Sequence, residues 1–389
     1  MWWRVGNSRR WWSIALTFVM AGWLSLTLGQ AHGQTVETPA QFAYLIDLSS
    51  NTVLLEKTAD VPTAPASMSK MMTVLMVLER LKSGALKLDD TFPVSEKAWK
   101  KGGSKMFVKV DTRVRVDDLL RGIIVQSGND ACIVVAEALA GSEAAFAAQM
   151  TAKARELGLT NSKFVNATGW PEDGHVMSAK DLATLAQILV TDYPEFYPMF
   201  SEKSFSYSGI PQKNRNPVLS KEIGADGLKT GHTERSGYGL TASAKRGDRR
   251  LILVLNGLES TSQRAQEAER LLEWGFTSFE GITLFKAQDK VEEAPVWLGE
   301  RASVPLVIAE RLAITLPQQA RRKLQVSIRY DAPIPSPVKK GQVVGKLTVT
   351  APGMEPVERP LIAGADVSPL GPVGRVLALT QHWLARVLP

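Results

Sequence analysis

The chain has 389 residues, 44% hydrophobic and 22% charged, which is ordinary for a globular protein with one main domain and a smaller one. Without the three arginines of the first 33 residues, 43 basic residues face 39 acidic ones, a net charge of 43 − 39 = +4. This small excess, with no basic run interleaved with aromatics, argues against nucleic-acid binding. It is compatible with an anionic membrane surface.

Residues 1–33 are predicted to form a secretory signal peptide. Three arginines precede an apolar run from Trp11 to Leu28, and small residues follow around Ala31 and Gly33. This is the order of a signal's charged, apolar and cleavage regions. An uncleaved membrane anchor is the alternative, because the apolar run is long for a signal. Ser8-Arg9-Arg10 only faintly resembles a twin-arginine signal.

Strands and helices are predicted in a mixed order over residues 37–282. Two strands form a hairpin, several helices follow, and a second pair of strands precedes a closing helix. Ser178, with Asp181 three residues later, is predicted to cap a helix that ends near Val190. This order indicates an α+β domain with an antiparallel sheet flanked by helices. The other elements are Gln41–Asp47, Thr52–Glu56, Ala66–Lys82, Asp117–Ile124, Ala131–Leu139, Tyr238–Ala244, Arg250–Gly257 and Gln263–Trp274.

Residues 283–368 differ in sequence pattern from residues 37–282, because they consist of short alternating apolar runs separated by turn residues. This pattern predicts a small all-β domain. Its expected strands are Val296–Leu298, Val304–Ile308, Leu324–Tyr330, Val343–Thr350 and Val357–Leu361.

The tail, residues 369–389, carries apolar residues at helical intervals between Leu370 and Leu388, while Arg375, His382 and Arg386 cluster on the other side. It is too polar and too interrupted by Gly and Pro to span a bilayer. We expect an amphipathic helix lying in the membrane interface, which would anchor an exported protein to the outer, periplasmic face of the cytoplasmic membrane. The alternative is a helix docked on the protein's own core.

The single cysteine and the four histidines do not suggest metal or disulfide chemistry. Cys132 has no intramolecular partner, and its apolar neighbours predict a buried helix residue rather than a nucleophile. The histidines show no ligand spacing, so we expect neither a metal nor a cofactor; they are His32, His175, His232 and His382.

Three short peptides occur in the order S-x-x-K, S-x-N, K-T-G: Ser67-Met68-Ser69-Lys70, Ser127-Gly128-Asn129 and Lys229-Thr230-Gly231. Each pattern also has a second copy in a setting that disqualifies it. Ser49-Ser50-Asn51 is predicted to be a hairpin turn, and Lys82-Ser83-Gly84 a helix C-terminal cap. Ser336-Pro337-Val338-Lys339 is flanked by prolines, so its lysine cannot lie one helical turn from its serine.

The first peptide places a hydroxyl and an amine three residues apart at the start of an apolar helix. Ser67 and Lys70 therefore share one face and are expected to meet. A lysine acts as a base only when neutral, so its pKa must fall by roughly 3 units from about 10.4. Burial and a second nearby cation could lower it, and Lys229 is the candidate cation.

The other two peptides supply polar groups around this pair. Ser127-Gly128-Asn129 is predicted to be a polar turn between two helices, offering a hydroxyl for proton relay and an amide for a substrate carbonyl. Lys229-Thr230-Gly231 is predicted to lead into the strand at Tyr238, with Lys229 and Thr230 able to bind a substrate carboxylate. An interhelical turn and a strand-end lysine are the purely structural alternatives.

With their flanking residues, the three peptides resemble the serine D-alanyl-D-alanine carboxypeptidases, low-molecular-mass penicillin-binding proteins of the type-5 kind. The resemblance covers about residues 37–389, because that family also has a C-terminal β-domain and an amphipathic anchor. It rests on Ala64–Thr73, Ser127-Gly128-Asn129-Asp130 and Asp226-Gly227-Leu228-Lys229-Thr230-Gly231-His232-Thr233. It implies a penicillin-binding or β-lactamase-like transpeptidase fold.

The resemblance also implies roles for named residues in removing the last D-alanine of a peptidoglycan stem peptide. Ser67 would be the nucleophile, Lys70 its base and Ser127 a proton relay, while Asn129 would hold the substrate amide. The oxyanion would lie between the backbone N–H groups of Ser67 and His232, next to Gly231. The terminal carboxylate would be bound by Lys229, Thr230 and Arg264. β-Lactam antibiotics would acylate the same serine.

One stretch departs from the expected family pattern. In Asn166-Ala167-Thr168-Gly169-Trp170, a histidine is expected before the glycine in some relatives, so the deacylation rate and peptide preference are open.

Three other functions are alternatives to the carboxypeptidase. A class A β-lactamase would need a glutamate followed four residues later by asparagine, and Glu172 has no such partner. A D,D-endopeptidase would share the site, and a wall-binding protein would only be acylated.

Overall fold

The computed structural model describes residues 36–387, so the predicted signal peptide lies outside the described residues. From residue 36 to 277 the chain alternates between strands and helices. The strands are β1 (Phe42–Asp47), β2 (Thr52–Lys57), β3 (Thr91–Pro93), β4 (Arg113–Arg115), β5 (Ser204–Tyr207), β6 (Ile210–Lys213), β7 (Ala225–Thr233), β8 (Gly237–Arg246) and β9 (Arg249–Leu258). The α-helices are α1 (Lys70–Lys82), α2 (Glu96–Lys100), α3 (Val116–Ile124), α4 (Asn129–Ala140), α5 (Glu143–Glu156), α6 (Ala179–Asp192) and α7 (Thr261–Thr277).

A five-stranded antiparallel sheet in the order β2-β1-β9-β8-β7 forms the middle layer of this region. Side chains on a strand alternate between the two faces of the sheet. In β9, Leu251, Leu253 and Leu255 pack into the cluster that contains α7, whereas Ile252 and Val254 pack into the helical core on the other face. The predicted sheet flanked by helices is confirmed, and β7 is left as an edge strand.

Helix α1 is the centre of the helical layer, and residues 70–78 are all buried. A helix that is apolar nearly all round belongs in a core. The predicted helix over 66–82 is confirmed with one difference, because Ala66–Ser69 forms a 3-10 helix. Helix α6 begins where predicted, with Ser178 Oγ accepting from the backbone N–H of Asp181 at 3.0 Å.

The second copies of the three motifs have the structural roles predicted for them. Ser49-Ser50-Asn51 turns the β1–β2 hairpin with Asn51 at φ +55°, and Gly84, at φ +76°, follows the C-terminus of α1. Ser336 donates its hydroxyl to the carbonyl of Leu298 at 2.8 Å, next to the short strand Ile334–Pro335.

The remainder of the chain forms a β-rich region that ends in a helix, as predicted. Strand β10 (Phe279–Phe285) contains the predicted domain boundary between residues 282 and 283, and it pairs with β13 (Leu312–Pro317). In the described part of the chain, a six-stranded sheet has the order β14-β16-β17-β12-β11-β15. The remaining elements are β11 (Lys290–Trp297), β12 (Ser303–Ile308), β13 (Leu312–Pro317), β14 (Gln325–Tyr330), β15 (Ile334–Pro335), β16 (Val343–Ala351), β17 (Met354–Ala363) and α8 (Pro372–Val387).

Helix α8 follows the β-rich region and exposes large apolar side chains. Val373 is 75% exposed and Trp383 63%, and the neighbouring Val376, Leu377 and Leu379 are also exposed. Within residues 36–387, no single helix is long and apolar enough to cross a membrane. The bent pair α4 and α5, with 82° between them, meets that length and composition test together, but both helices contribute residues to the buried core.

A buried ion pair joins the central sheet to the β-rich region. Asp47, fully buried, accepts from Arg249 Nε at 2.9 Å and from Thr315 Oγ1 at 2.9 Å. The Arg249 guanidinium also donates to the carbonyls of Gly275, at 3.0 Å, and Phe279, at 2.9 Å. Arg249 therefore connects β1, α7 and β10, and Asp47 connects β1 to β13.

Replacing Arg249 with alanine is expected to lower the free energy of unfolding by about 3–5 kcal/mol, because Asp47 would become a buried charge without its cation. Urea denaturation measures this loss. Arg329→Ala removes an exposed arginine of β14 and is the matched control, expected to change stability by no more than about 0.5 kcal/mol. Equal losses in both variants would contradict the role given to Arg249.

Candidate active site

Ser67 and Lys70 meet at the start of the central helix. Ser67 lies in the 3-10 turn and is half-buried, whereas Lys70, the first residue of α1, is fully buried. Lys70 Nζ lies 2.8 Å from Ser67 Oγ and donates to the carbonyl of Thr168 at 2.5 Å. The predicted meeting of these two side chains is confirmed.

Burial lowers the pKa of Lys70 to about 8, since the apolar interior disfavours its charged form. This value is a net result, in which the cations of Arg215 and Lys101 also lower the pKa and Cys132 and Asp130 raise it. Lys229 was expected to be the second cation. Instead, the charge of Lys70 lowers the pKa of Lys229. Burial is the largest cause of that lowering, followed by Lys70 and Arg215.

Cys132 lies in the interior near these lysines and is fully buried in α4. Burial raises the pKa of its thiol to about 12, so it remains a neutral thiol. A neutral, inaccessible thiol is not a nucleophile. The prediction of a buried helix residue is confirmed.

The loop 166–172 is folded around one buried side chain, that of Asn166. Asn166 Oδ1 accepts from the backbone N–H groups of Thr168, Gly169 and Trp170 at 2.9–3.1 Å. Its Nδ2 donates to the Trp170 carbonyl and to Glu172 Oε2, each at 3.1 Å. This amide therefore fixes the carbonyl of Thr168 that receives Lys70.

The same loop packs closely against the nucleophile segment. Thr73 Oγ1 donates to the Ala167 carbonyl at 2.7 Å. Gly169 has φ +74°, and a Cβ built there would lie 2.0 Å from the Ala66 carbonyl oxygen. Only glycine fits this position, because both the backbone conformation and the available space exclude a side chain.

Ser127-Gly128-Asn129 joins α3 to α4, so the predicted turn is confirmed, although α4 begins at Asn129 rather than Ala131. Ser127 is buried at φ +65°, and among the described residues its Oγ has no hydrogen-bond partner. Asn129 Nδ2 donates to the Gly102 carbonyl at 2.8 Å, which leaves its amide oxygen for another donor. The turn thus holds an unengaged hydroxyl and a fixed amide.

Asp130 is fully buried beside the Ser127 turn and was not predicted as a site residue. Its carboxylate accepts from the backbone N–H groups of Met106, Phe107 and Val108 at 2.8–3.2 Å. Since these residues are local neither to α3 nor to α4, only the adjacency of Asp130 to Asn129 could have drawn attention to it.

Lys229-Thr230-Gly231 lies inside β7 and does not merely lead into the next strand, which corrects the prediction. Its register pairs Lys229 with Thr241 and Gly231 with Gly239 of β8. A Cβ at Gly231 would lie 2.8 Å from the Pro65 carbonyl oxygen, so this glycine lets the edge strand approach the Ser67 turn. The strand therefore forms one wall beside Ser67.

Arg264 and His232 flank the same strand. Arg264 is buried in α7, so its placement is not that of an exposed helix arginine, and its Nη1 donates to the Gly231 carbonyl at 3.4 Å. Burial lowers the pKa of Arg264. His232 is exposed and stacks on Tyr238 with 3.9 Å between ring centroids.

The arrangement combines a hydroxyl, a buried amine able to lose its proton, and a group of cations at the end of the cleft. Arg215 acts on both Lys70 and Lys229, and Arg264 acts on Lys229. Such a set suits acyl transfer from a substrate with a free carboxylate. Arg215 and Lys101 come from distant segments, and no spacing rule in the sequence marks either residue.

Two family models match the chain. The model described as D-alanyl-D-alanine carboxypeptidase matches residues 29–259, which is more than half of the chain. The chain belongs to the D-alanyl-D-alanine carboxypeptidase family. The model described as penicillin-binding protein 5, C-terminal domain, matches residues 279–369 and so covers the β-rich region.

Individual relatives extend the match over most of the chain. D-alanyl-D-alanine carboxypeptidase DacC of Escherichia coli is 40% identical over 354 residues, 88% of each chain. DacF of Bacillus subtilis is 34% identical over 85% of this chain and 87% of its own. The crystal structure of penicillin-binding protein 5 from Haemophilus influenzae superposes with a TM-score of 0.79, at 35% identity over 86% of this chain and 98% of that one.

Another structural neighbour matches a smaller share of the chain. Penicillin-binding protein D2 of Listeria monocytogenes, solved in its ampicillin-bound form, is 29% identical with a TM-score of 0.57. It covers 62% of this chain and 99% of its own. Because the chain belongs to a family that includes penicillin-binding proteins, acylation by a labelled penicillin is a suitable readout of the site.

The rate of acylation by labelled penicillin is expected to rise with pH, to reach half of its maximum near pH 8 and to level off at higher pH. Lys70 must be neutral to accept the serine proton, and its neutral fraction grows as pH approaches its pKa of about 8. Stopped-flow acylation between pH 6 and pH 10, a range chosen to span roughly 2 units either side, measures the midpoint.

Arg215→Gln should move this midpoint to higher pH, because it removes a cation that lowers the pKa of Lys70. Lys109→Gln, which removes an exposed lysine, is the control and should leave the midpoint in place. A profile without a rising limb would refute Lys70 as the base.

Proposed function

We propose that this chain is a serine D,D-carboxypeptidase that removes the terminal D-alanine from peptidoglycan stem pentapeptides. The proposal rests above all on the 2.8 Å contact between Lys70 Nζ and Ser67 Oγ, with Lys70 fully buried and its pKa near 8. A base with a pKa close to the working pH both exists in its neutral form and accepts a proton readily.

In the acylation step, Ser67 Oγ bonds to the carbonyl carbon of the penultimate D-alanine as Lys70 takes the serine proton. The oxyanion is held by the backbone N–H groups of Ser67 and His232. The C–N bond then breaks, and the leaving amine receives a proton through Ser127. The orphaned Ser127 hydroxyl supports this relay, since it has no other partner among residues 36–387.

The terminal carboxylate of the substrate is bound by Thr230 and the cations around it. Arg264 and Arg215 supply positive charge at this end of the cleft, and Lys229, whose pKa is lowered by burial and by the neighbouring cations, takes up a proton as the carboxylate binds; Asn129 holds the substrate amide. Grouping like charges costs stability in the empty enzyme. A carboxylate neutralises that repulsion, so the site selects peptides with a free C-terminus.

Hydrolysis of the acyl-enzyme completes the cycle. Water adds to the ester carbonyl, a base accepts its proton, and the Ser67–acyl bond breaks with a proton returned to Ser67 Oγ. Lys70 is the group that takes the proton from water and returns a proton to Ser67 Oγ. The Thr168 carbonyl holds the Lys70 amine in position during both transfers.

The protein is further proposed to be exported and held at the periplasmic side of the cytoplasmic membrane. The signal pattern of residues 1–33 supports export. The exposed apolar side chains of α8 support an interfacial anchor, since a soluble helix would bury them. Its role would be peptidoglycan maturation and cell shape in the cell wall.

Incubation with a stem pentapeptide should shorten it by one D-alanine, and Ser67→Ala should abolish the reaction. Mass spectrometry of the products gives the answer, and Ser69→Ala is the control for a serine two residues away that bonds only to the Ala66 carbonyl. Cleavage of a crosslinked peptide dimer, with the pentapeptide left intact, would instead identify an endopeptidase.

Truncation after Val367 should release the protein from membrane vesicles without reducing its activity on a soluble pentapeptide. The reason is that α8 begins at Pro372, and its described large apolar side chains, between Val373 and Trp383, are exposed to solvent. Vesicle sedimentation followed by immunoblotting measures retention. Unchanged retention would show that the tail is not the anchor.

A further inference from the structure

The base and the substrate-amide residue of the site are each held by a backbone carbonyl. Lys70 Nζ donates to the carbonyl of Thr168 at 2.5 Å, and Asn129 Nδ2 donates to that of Gly102 at 2.8 Å. Thr168 lies in the loop 166–172, whereas Gly102 lies in the segment that follows α2. These two segments are far apart in the chain, so the spacing of the two side chains depends on what joins them.

The carboxylate of Glu143, the first residue of α5, contacts both supporting segments. Its Oε1 accepts from the backbone N–H of Ala167 at 3.3 Å, and its Oε2 pairs with Lys97 Nζ at 3.0 Å. Ala167 directly precedes Thr168, and Lys97 lies in α2, the helix that leads to Gly102. One side chain therefore links the support of the base to the support of the amide.

Helix α5 does not need this carboxylate to begin. Ser142 is its N-cap, and the Ser142 hydroxyl accepts from the backbone N–H of Ala145 at 3.1 Å. The Ser142 carbonyl accepts from the N–H of Phe146 at 3.0 Å, so the first turn is closed in the usual way. Within residues 36–387, both contacts of the Glu143 carboxylate are with other elements of the fold.

Glu143 is also buried, with only 8% of the residue exposed. Removing a carboxylate from water costs free energy unless a cation and hydrogen bonds replace the lost hydration. Apolar side chains in place of a buried ion pair often leave stability unchanged or raise it. The burial of Glu143 is therefore better explained by the groups that it holds in place than by a gain in stability.

The backbone of Ala167 is held on both sides. Glu143 accepts from its N–H, and Thr73 Oγ1, on α1, donates to its carbonyl at 2.7 Å. The next N–H, that of Thr168, donates to Asn166 Oδ1 at 3.1 Å. These contacts leave the Thr168 carbonyl one orientation, and that carbonyl directs the amine of the base.

Helix α2 is held in a similar way between α4 and α5. Ser95, its N-cap, donates its hydroxyl to Glu137 Oε2 of α4 at 2.6 Å, while Lys97 pairs with Glu143 of α5. Beyond the helix, the Ser104 carbonyl accepts from the N–H of Asn129 at 2.7 Å. The contact with Glu143 thus helps to fix the segment that closes on the start of α4.

We propose that Glu143 is a positioning residue for the acyl-transfer reaction. It fixes the Lys70 amine through the backbone of Ala167, and it fixes the Asn129 amide through Lys97 and α2. It touches neither the substrate nor the reacting atoms. This inference rests on the roles proposed above for Lys70 and Asn129, and it adds the side chain that sets their spacing.

Stopped-flow acylation over a range of labelled-penicillin concentrations separates the two effects, because it gives a limiting rate and a half-saturating concentration. Glu143→Ala should lower the limiting rate by about 10-fold, since a misplaced base costs rate even when the ligand is bound. Glu143→Gln keeps an acceptor for the Ala167 N–H, so its limiting rate should stay within about 2-fold of the wild-type rate. A purely structural role would not produce this rescue.

The ion-pair contact is tested by Glu143→Gln and Lys97→Met, which each remove one charge of the pair. Both should raise the half-saturating concentration by about 3-fold, and the double variant should show no larger rise than either alone. Glu156→Gln is the matched control. Glu156 lies at the other end of α5 and is exposed, and its partner is Lys153, so both parameters should be unchanged.

A wild-type protein that labelled penicillin does not acylate would refute the proposed acyl transfer itself. If the wild type is acylated, an unchanged limiting rate in Glu143→Ala would overturn only the positioning role. Equal losses of limiting rate in Glu143→Ala and Glu143→Gln would place the effect in the charge and contradict the contact with Ala167. Should Glu143→Ala fail to fold, additive losses in the Glu143→Gln, Lys97→Met double variant would still refute the link between the two segments.

Discussion

The buried ammonium of Lys70 is the constraint on which the rest of the site depends. An amine at the first turn of an apolar helix is costly to charge, and the fold adds the cations of Arg215 and Lys101 nearby. The stability lost by desolvating Lys70 is what makes it a base near neutral pH. The Thr168 carbonyl and Ser67 Oγ then decide where the amine can point. The burial that packs Lys70 into the core is therefore also what makes it reactive as a base.

The parts of the site that the sequence predicted are those governed by local geometry. Ser67 and Lys70 are three residues apart in one helical run, so their contact followed from helical spacing alone. The turn at Ser127 followed from polar residues between two apolar helices. By contrast, the strand containing Lys229 was missed because Gly227, Lys229 and Gly231 are poor strand formers. Pairing with β8 overrides that weak local preference.

The groups that tune the site could not be predicted, because they come from segments far apart in the chain. Arg215 follows the β5–β6 hairpin, Lys101 follows α2, and the carbonyl that receives Lys70 belongs to a loop about one hundred residues away. A backbone carbonyl leaves no signature in a sequence. Asn166 had a visible signal, as it opens the stretch in which a histidine before the glycine is expected in some relatives. The hydrogen bonds by which Asn166 holds that loop can be seen only in the three-dimensional structure.

Ser127 keeps a buried hydroxyl at a position where the backbone conformation favours glycine. A serine at φ +65° occupies the left-handed region, which costs a non-glycine residue on the order of 1 kcal/mol. Glycine would adopt this conformation without that cost. If a thermostable variant were designed from backbone energies alone, Ser127→Gly would be selected. That variant would have a higher free energy of unfolding but would lack the buried hydroxyl. At this position, improvement of the fold and preservation of its chemistry are opposing goals.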